Sequence, residues 1–321
     1  MKLIAQTALA RLDHTAKLKR RGWVIPALLL AITCAPPPAE TPETATAEAP
    51  APPPGTEIFL LALTRTGDTV SLGPPRNISN HPGYDNQPWF SPDGATIYFS
   101  SNRAGGETDV YRYTLADGTI KVVLESPTAE YSPTLAGGDP ESLTVVRVEE
   151  SGAQRLWRVN GPNPRPLIAG IDSVGYYAWA GLEAVVMFVV GEPHSLQHAN
   201  LQTGAITWLA DNIGRTLKSL PDGSAVSFVD KRGSGWWIMT VDNTTLEIRP
   251  VAGTLPEREN YAWLPDGRLI LSGSNGLYLH TGDGWQELAT FDGPALQGIT
   301  RLAISPDGNW LALVSAEPVG P

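Results

Sequence analysis

Six turn signals at near-constant spacing constrain this 321-residue chain more than any other feature. Four are explicit: Ser91-Pro92-Asp93-Gly94, Leu220-Pro221-Asp222-Gly223, Leu264-Pro265-Asp266-Gly267 and Ser305-Pro306-Asp307-Gly308. Two weaker beats, Gly138-Asp139-Pro140 and Ala180-Gly181-Leu182, fall between the first pair. Measured at Asp93, Asp139, Gly181, Asp222, Asp266 and Asp307, the intervals are 46, 42, 41, 44 and 41 residues. Proline presets φ near −65°, aspartate bonds backbone two residues on, and glycine accepts positive φ. Short runs rich in branched and aromatic residues flank each turn, such as Thr96-Ile97-Tyr98-Phe99 and Ala225-Val226-Ser227-Phe228, which is the strand signal. A period of roughly 40–45 residues with several short strands per unit is that of a β-propeller blade.

Six beats with four strands each predict an all-β, six-bladed propeller, but the last unit is short. After Leu311-Ala312-Leu313-Val314 there is no room for two more strands. The missing pair is found at the other end, in Ile58-Phe59-Leu60-Leu61-Ala62-Leu63 and Thr69-Val70-Ser71-Leu72. The expectation is therefore a ring closed by N-terminal outer strands pairing with C-terminal inner strands, which removes free sheet edges. A β-solenoid or two small sandwiches are the competing folds.

Residues 1–55 follow other rules. Lys2, Arg11, Lys17, Lys19, Arg20 and Arg21 form a basic leader offset only by Asp13. The apolar stretch from Trp23 to Thr33 is too short for the roughly 20 residues that span a bilayer, but suits a signal-peptide core. Cys34, the only cysteine, follows at once. The tract from Ala35 to Gly55 has no aromatic or large aliphatic residue, so it cannot bury enough surface to fold and reads as an extended spacer. The predicted organisation is a signal peptide over 1–33, a disordered tether over 34–55 and the propeller over 56–321. Without residues 1–33, 17 Lys+Arg face 32 Asp+Glu, a formal charge of −15. That balance argues against nucleic acid and anionic lipid as main partners, because both need a basic footprint.

Two resemblances attach to these residues. The leader, short core and lone cysteine resemble a bacterial lipoprotein signal, which implies lipidation of Cys34 and an exported protein held at a membrane, facing the periplasm or the cell exterior. Ala31 and Thr33 stand where that pattern has leucine and a small residue; an uncleaved anchor and an ordinary signal peptide remain the other readings. The run from His81 to Arg103, with Asp109-Val110-Tyr111 beyond it, resembles a TolB-like repeat of the WD40-like Pro-Asp-Gly type. This resemblance implies a six-bladed propeller serving as a platform for other envelope proteins or peptides, and it carries over no catalytic residue.

The sequence offers no catalytic motif: Gly-x-Ser-x-Gly, His-Glu-x-x-His, the P-loop and Gly-x-Gly-x-x-Gly are all missing. His194 and His198 fall in a loop and a strand, where their offset separates them too far to share a metal. The acidic loops lack the alternating oxygen ligands of a calcium site, so no cofactor or metal is expected. Inner strands line a propeller's axis. Aligning the units places Asn86, Gln87, Tyr131, Tyr176, Tyr177, Asn260, Tyr261 and Arg301 near the start of those strands, as a funnel of tyrosine, amide and one arginine suited to a peptide or sugar. The expected function is a non-enzymatic binding platform. A propeller hydrolase or lyase acting on glycans or esters, or a small-ligand sensor, is the alternative.

Overall fold

The computed structural model describes residues 54–136, 142–160, 163–292 and 296–317. The leader, Cys34 and the tether lie outside the described residues, as does the Gly138-Asp139-Pro140 beat.

Among the described residues there are six antiparallel sheets arranged as a β-propeller, and no helix. Blade 1 contains Asp85–Phe90, Thr96–Ser101, Asp109–Thr114 and Ile120–Leu124 from the axis outward. Blade 2 contains Ala129–Leu135, Leu143–Val148, Gln154–Arg158 and Arg165–Pro166. Blade 3 is built from Val174–Trp179, Ala184–Val189, Ser195–Asn200 and Ile206–Asp211. Blade 4 is built from Lys218–Ser219, Ala225–Asp230, Trp237–Asp242 and Ile248–Gly253. Blade 5 has Tyr261–Trp263, Leu269–Ser272, Gly276–His280 and Trp285–Thr290.

Blade 6 closes the ring as the sequence predicts. Its inner strands Thr300–Ile304 and Trp310–Ala316 are C-terminal; its outer strands Thr56–Thr66 and Thr69–Leu72 are N-terminal. Thr56 to Ala62 pair with Ala316 to Trp310 in continuous antiparallel register. The middle of the closing strand, Ile58 to Leu63, is an unbroken apolar run that packs against the blade on either side. Ile58 and Leu60 pack on the blade 1 side with Phe90, Ile97 and Phe99, whereas Leu61 and Leu63 pack on the blade 5 side with Ala262, Leu264 and Ile270. This is the period of two that a strand imposes on its side chains.

The Pro-Asp-Gly turns explain themselves in the same atoms each time. Gly94, Gly223, Gly267 and Gly308 have φ between +70° and +85° and donate to the carbonyls of Ser91, Leu220, Leu264 and Ser305 at 2.8–3.0 Å. Each aspartate accepts from the backbone N–H two residues on: Ala95, Ser224, Arg268 and Asn309, at 3.0–3.1 Å. In blades 1 and 6 a serine hydroxyl adds a bond at 2.5 Å to Asp93 and Asp307, and this bond is the main reason those carboxyls sit below their ordinary range. These aspartates are structural turn residues.

Candidate functional site

Counting back from the hydrogen bond that ends each inner strand gives true equivalence around the ring. The N–H groups of Ser91, Ala136, Ala180, Leu220, Leu264 and Ser305 make that bond, to Thr96, Ser142, Ala184, Ala225, Arg268 and Trp310. Four residues earlier stand Gln87, Ser132, Tyr176, Thr216, Asn260 and Arg301, all polar. Three of them, Gln87, Ser132 and Arg301, take φ of +52° to +58° at a point where the inner strand carries one residue more than its neighbour. Such a bulge bends the strand and re-aims its backbone. Two of the freed N–H groups are met by the preceding blade: Ser132 donates to the Gln87 carboxamide at 2.7 Å, and Arg301 to the Asn260 carboxamide at 3.2 Å.

This ring forms the wall of an axial cavity of about 600 Å³, a volume within the ~300–1,000 Å³ of small-ligand pockets. Gln87, Ser132, Tyr176, Thr216 and Arg301 line it, together with Lys218, Trp89, Trp179 and Trp263. Exposed Pro92, Pro221, Pro265 and Pro306 form a rim between the Pro-Asp-Gly turns. The sequence reading looked for its funnel at the start of the inner strands; the cavity continues through to the turn side.

The expected residues divide. Gln87, Tyr176, Tyr177 and Arg301 line the cavity. The Arg301 guanidinium donates to the Tyr176 hydroxyl at 2.7 Å and lies 4.4 Å from its ring centroid. Asn260 supports Arg301 from behind, as above. Asn86 is buried, its amide donating to the Thr56 hydroxyl at 3.1 Å and its carbonyl accepting from the Gln87 N–H at 2.8 Å. Tyr131 stands edge-on to Tyr84 at 6.0 Å and shares a long 3.4 Å hydrogen bond with Thr108.

Tyr177 and Tyr261 are held between blades, although Tyr177 also borders the cavity. Tyr261 is wholly buried and Tyr177 nearly so. The Tyr177 hydroxyl sits 2.8 Å from both Thr134 and Thr144, and the Tyr261 hydroxyl donates to Ser227 at 2.9 Å. Trp179 donates to Thr134 and Trp263 to Ser227, so a Tyr-x-Trp pair bolts blade 3 to blade 2 and blade 5 to blade 4 in the same way. Burial pushes both phenols well above their ordinary range. These tyrosines fall one position after the ring, where a strand's side chains point to the other face.

Lys218 is the residue the sequence reading missed. Its counterparts around the ring are Trp89, Thr134, Ala178, Ala262 and Ala303, none of them charged. Its ammonium donates to the Leu302 carbonyl at 2.7 Å. Part of the side chain meets the cavity, yet so much protein surrounds the amine that desolvation, helped by nearby Arg301, brings its pKa down to about 8. The signal was one cation in an otherwise uncharged inner-strand position. No group of three or more His, Cys, Asp or Glu among the described residues is placed to hold a metal.

No protein-family profile and no curated protein matches the chain. Solved structures do. A TolB candidate from Agrobacterium tumefaciens superposes with a TM-score of 0.63 at 18% identity, covering 83% of this chain and 100% of that one. A gluconolactonase from Xanthomonas campestris gives 0.55 at 14% identity, over 83% and 98% of the two chains. The calcium-binding protein regucalcin from Agrobacterium tumefaciens gives 0.51 at 13% identity, over 74% and 91%. Identities this low establish architecture rather than activity. In fold, the chain is a TolB-like six-bladed β-propeller.

Proposed function

We propose that this protein is a non-enzymatic binding platform that takes a peptide or protein segment into its axial cavity from the Pro-Asp-Gly side. The observation that carries this reading is the composition of the cavity: three tryptophans, two tyrosines and a ring of prolines surround a few fixed donors. Flat aromatic and proline faces bury apolar area at little entropic cost, while Arg301, Lys218 and Gln87 set orientation. The resemblance of the leader and Cys34 to a lipoprotein signal supports a partner in the cell envelope, with the propeller exported and tethered through Cys34.

A photo-crosslinking residue placed at Pro265, on the rim, is expected to capture the partner in envelope extract. The same residue at Val122, exposed on the outer strand of blade 1, is expected to stay silent. Equal capture from both positions, or capture from Val122 alone, refutes the axial site.

The gluconolactonase likeness and the lowered pKa of the Lys218 amine favour one second reading, a hydrolase of small esters or lactones using Lys218 as base. Turnover of aryl acetates that disappears in Lys218→Met would establish it over the platform.

A further inference from the structure

The axial cavity carries the opposite charge from the chain that surrounds it. The whole sequence holds 23 Lys+Arg against 33 Asp+Glu, yet the cavity wall holds Arg215, Lys218 and Arg301 against Asp222 alone. Asp222 stands on the exposed rim with its Oδ1 engaged by the backbone and hydroxyl of Ser224. Several other partly buried cations are neutralised in place: Arg103 pairs with Asp85, Arg147 with Glu130 and Lys231 with Glu259. Lys218 and Arg301 pair with no carboxylate among the described residues, although both sit inside the ring.

Enclosing a cation without a counter-charge costs free energy, and here two share one cavity. The fold does not demand it, since alanine, threonine or tryptophan serves at the position of Lys218 in every other blade. Arg301, in turn, is held rather than loose: its backbone N–H is fixed by Asn260, its guanidinium by Tyr176. Lys218 uses one of its three donors on the Leu302 carbonyl, and Arg301 one of its five on the tyrosine hydroxyl. The remaining donors have no hydrogen-bond partner among the described residues and can reach an acceptor in the cavity.

We propose that Lys218 and Arg301, with the Tyr176 hydroxyl, form a carboxylate-binding subsite that receives an aspartate or glutamate side chain of the bound peptide. The proposal rests on the axial cavity being the binding surface. A carboxylate suits the pair because the planar guanidinium offers parallel N–H groups while the ammonium acts as a point charge beside it. The aromatic faces of Trp89, Trp179 and Trp263 would hold the neighbouring apolar part of the peptide.

The test selects random displayed peptides on the full-length protein, then measures synthetic copies of the binders by calorimetry. An acidic residue is expected in the selected peptides, and replacing it by its amide is expected to weaken binding on the order of ten- to a hundredfold. Lys218→Met and Arg301→Met should each shrink that acid-to-amide ratio, and Ser219→Trp, which fills the cavity from an exposed wall position, should abolish binding. Peptides sensitive to Ser219→Trp but indifferent to the amide replacement overturn the carboxylate subsite and leave the platform standing. Acid-dependent binding that survives both methionine variants also overturns it. Binding indifferent to Ser219→Trp, or no selected peptide, sinks the axial platform itself. Inorganic phosphate that displaces the peptide better than acetate at equal ionic strength reassigns the site to phosphate. The amide comparison uses wild-type protein, so misfolding of a variant cannot mask the answer.

Discussion

Arg147→Met should destabilise the propeller strongly at neutral pH and weakly in mild acid. Glu130 and Arg147 are direct cross-strand partners in blade 2. The Glu130 side chain is fully buried; its Oε1 accepts from Arg147 Nε at 2.9 Å, Ser126 Oγ at 2.6 Å and Thr128 Oγ1 at 3.2 Å, while Oε2 has no partner. Desolvation outweighs these bonds and lifts the carboxyl above its ordinary 4.5. Removing the guanidinium leaves the buried carboxylate one escape, which is to bind a proton. Protonating a group of pKa 4.5 at pH 7 costs about 3 kcal/mol, since each unit is worth ~1.4 kcal/mol, and at pH 5 it costs about 1 kcal/mol or less. The sign follows from the folded carboxyl holding its proton more tightly than the unfolded one. That preference stabilises the fold below 4.5 and is lost as the pH rises through the folded value. Urea unfolding of wild type and Arg147→Met at both pH values would measure it. The double variant Glu130→Gln/Arg147→Met should recover most of the loss at pH 7, because no charge is left to bury. A loss that is the same at pH 5 and pH 7, or under ~1 kcal/mol at pH 7, refutes the reasoning.

Other expectations test the remaining joints. Leu61→Ala, in the closing strand and fully buried, should cost about 2–5 kcal/mol by urea unfolding, since the strand fixes both neighbouring blades. Tyr261→Phe removes one of two donors on the buried Ser227 hydroxyl and should cost about 1 kcal/mol, with partner binding unchanged. Lys218→Met should stabilise the protein. The folded amine titrates at about 8 and the unfolded one near 10.5, so this gain is full below pH 8 and vanishes as the pH climbs to 10.5. The charged group beside the amine is Arg301; a pH-independent difference would remove Lys218 from the cavity interior. Cys34→Ser should abolish incorporation of labelled fatty acid and release the protein from membranes, and retained label would displace the lipoprotein reading.

What could be read from the chain depended on whether a residue type answers to one local need. The Pro-Asp-Gly turns were legible because each residue has a single task there, and the same hydrogen bonds recur in four blades. Ring closure was legible because a strand buried on both faces shows as the unbroken run Ile58-Phe59-Leu60-Leu61-Ala62-Leu63. The funnel was legible only in outline. Gln87, Ser132 and Arg301 occupy left-handed backbone that glycine or asparagine would have announced, and these three share no side-chain feature that demands it. With the bulges hidden, the phase of the pleat could not be fixed in the blades between them.

The cost of that one-residue uncertainty is specific to strands. On a helix, neighbouring positions share much of a face, so a slip of one blurs a predicted site without emptying it. On a strand the same slip exchanges the two faces outright. Tyr176 and Tyr177 show the consequence side by side: one bonds Arg301 at the cavity wall, and the other is bolted to Thr134 and Thr144 between blades. Two blades further on, Asn260 accepts from the Arg301 N–H behind the wall while Tyr261 is bolted to Ser227. A ring of candidate residues drawn from a propeller sequence is therefore a mixture of wall and bolt until the bulges are located. A lone cation such as Lys218 separates the two classes better than an aromatic residue does. Tyrosine is at home on either face, but a charge enclosed between blades would need a partner, and Lys218 has none outside the cavity it lines.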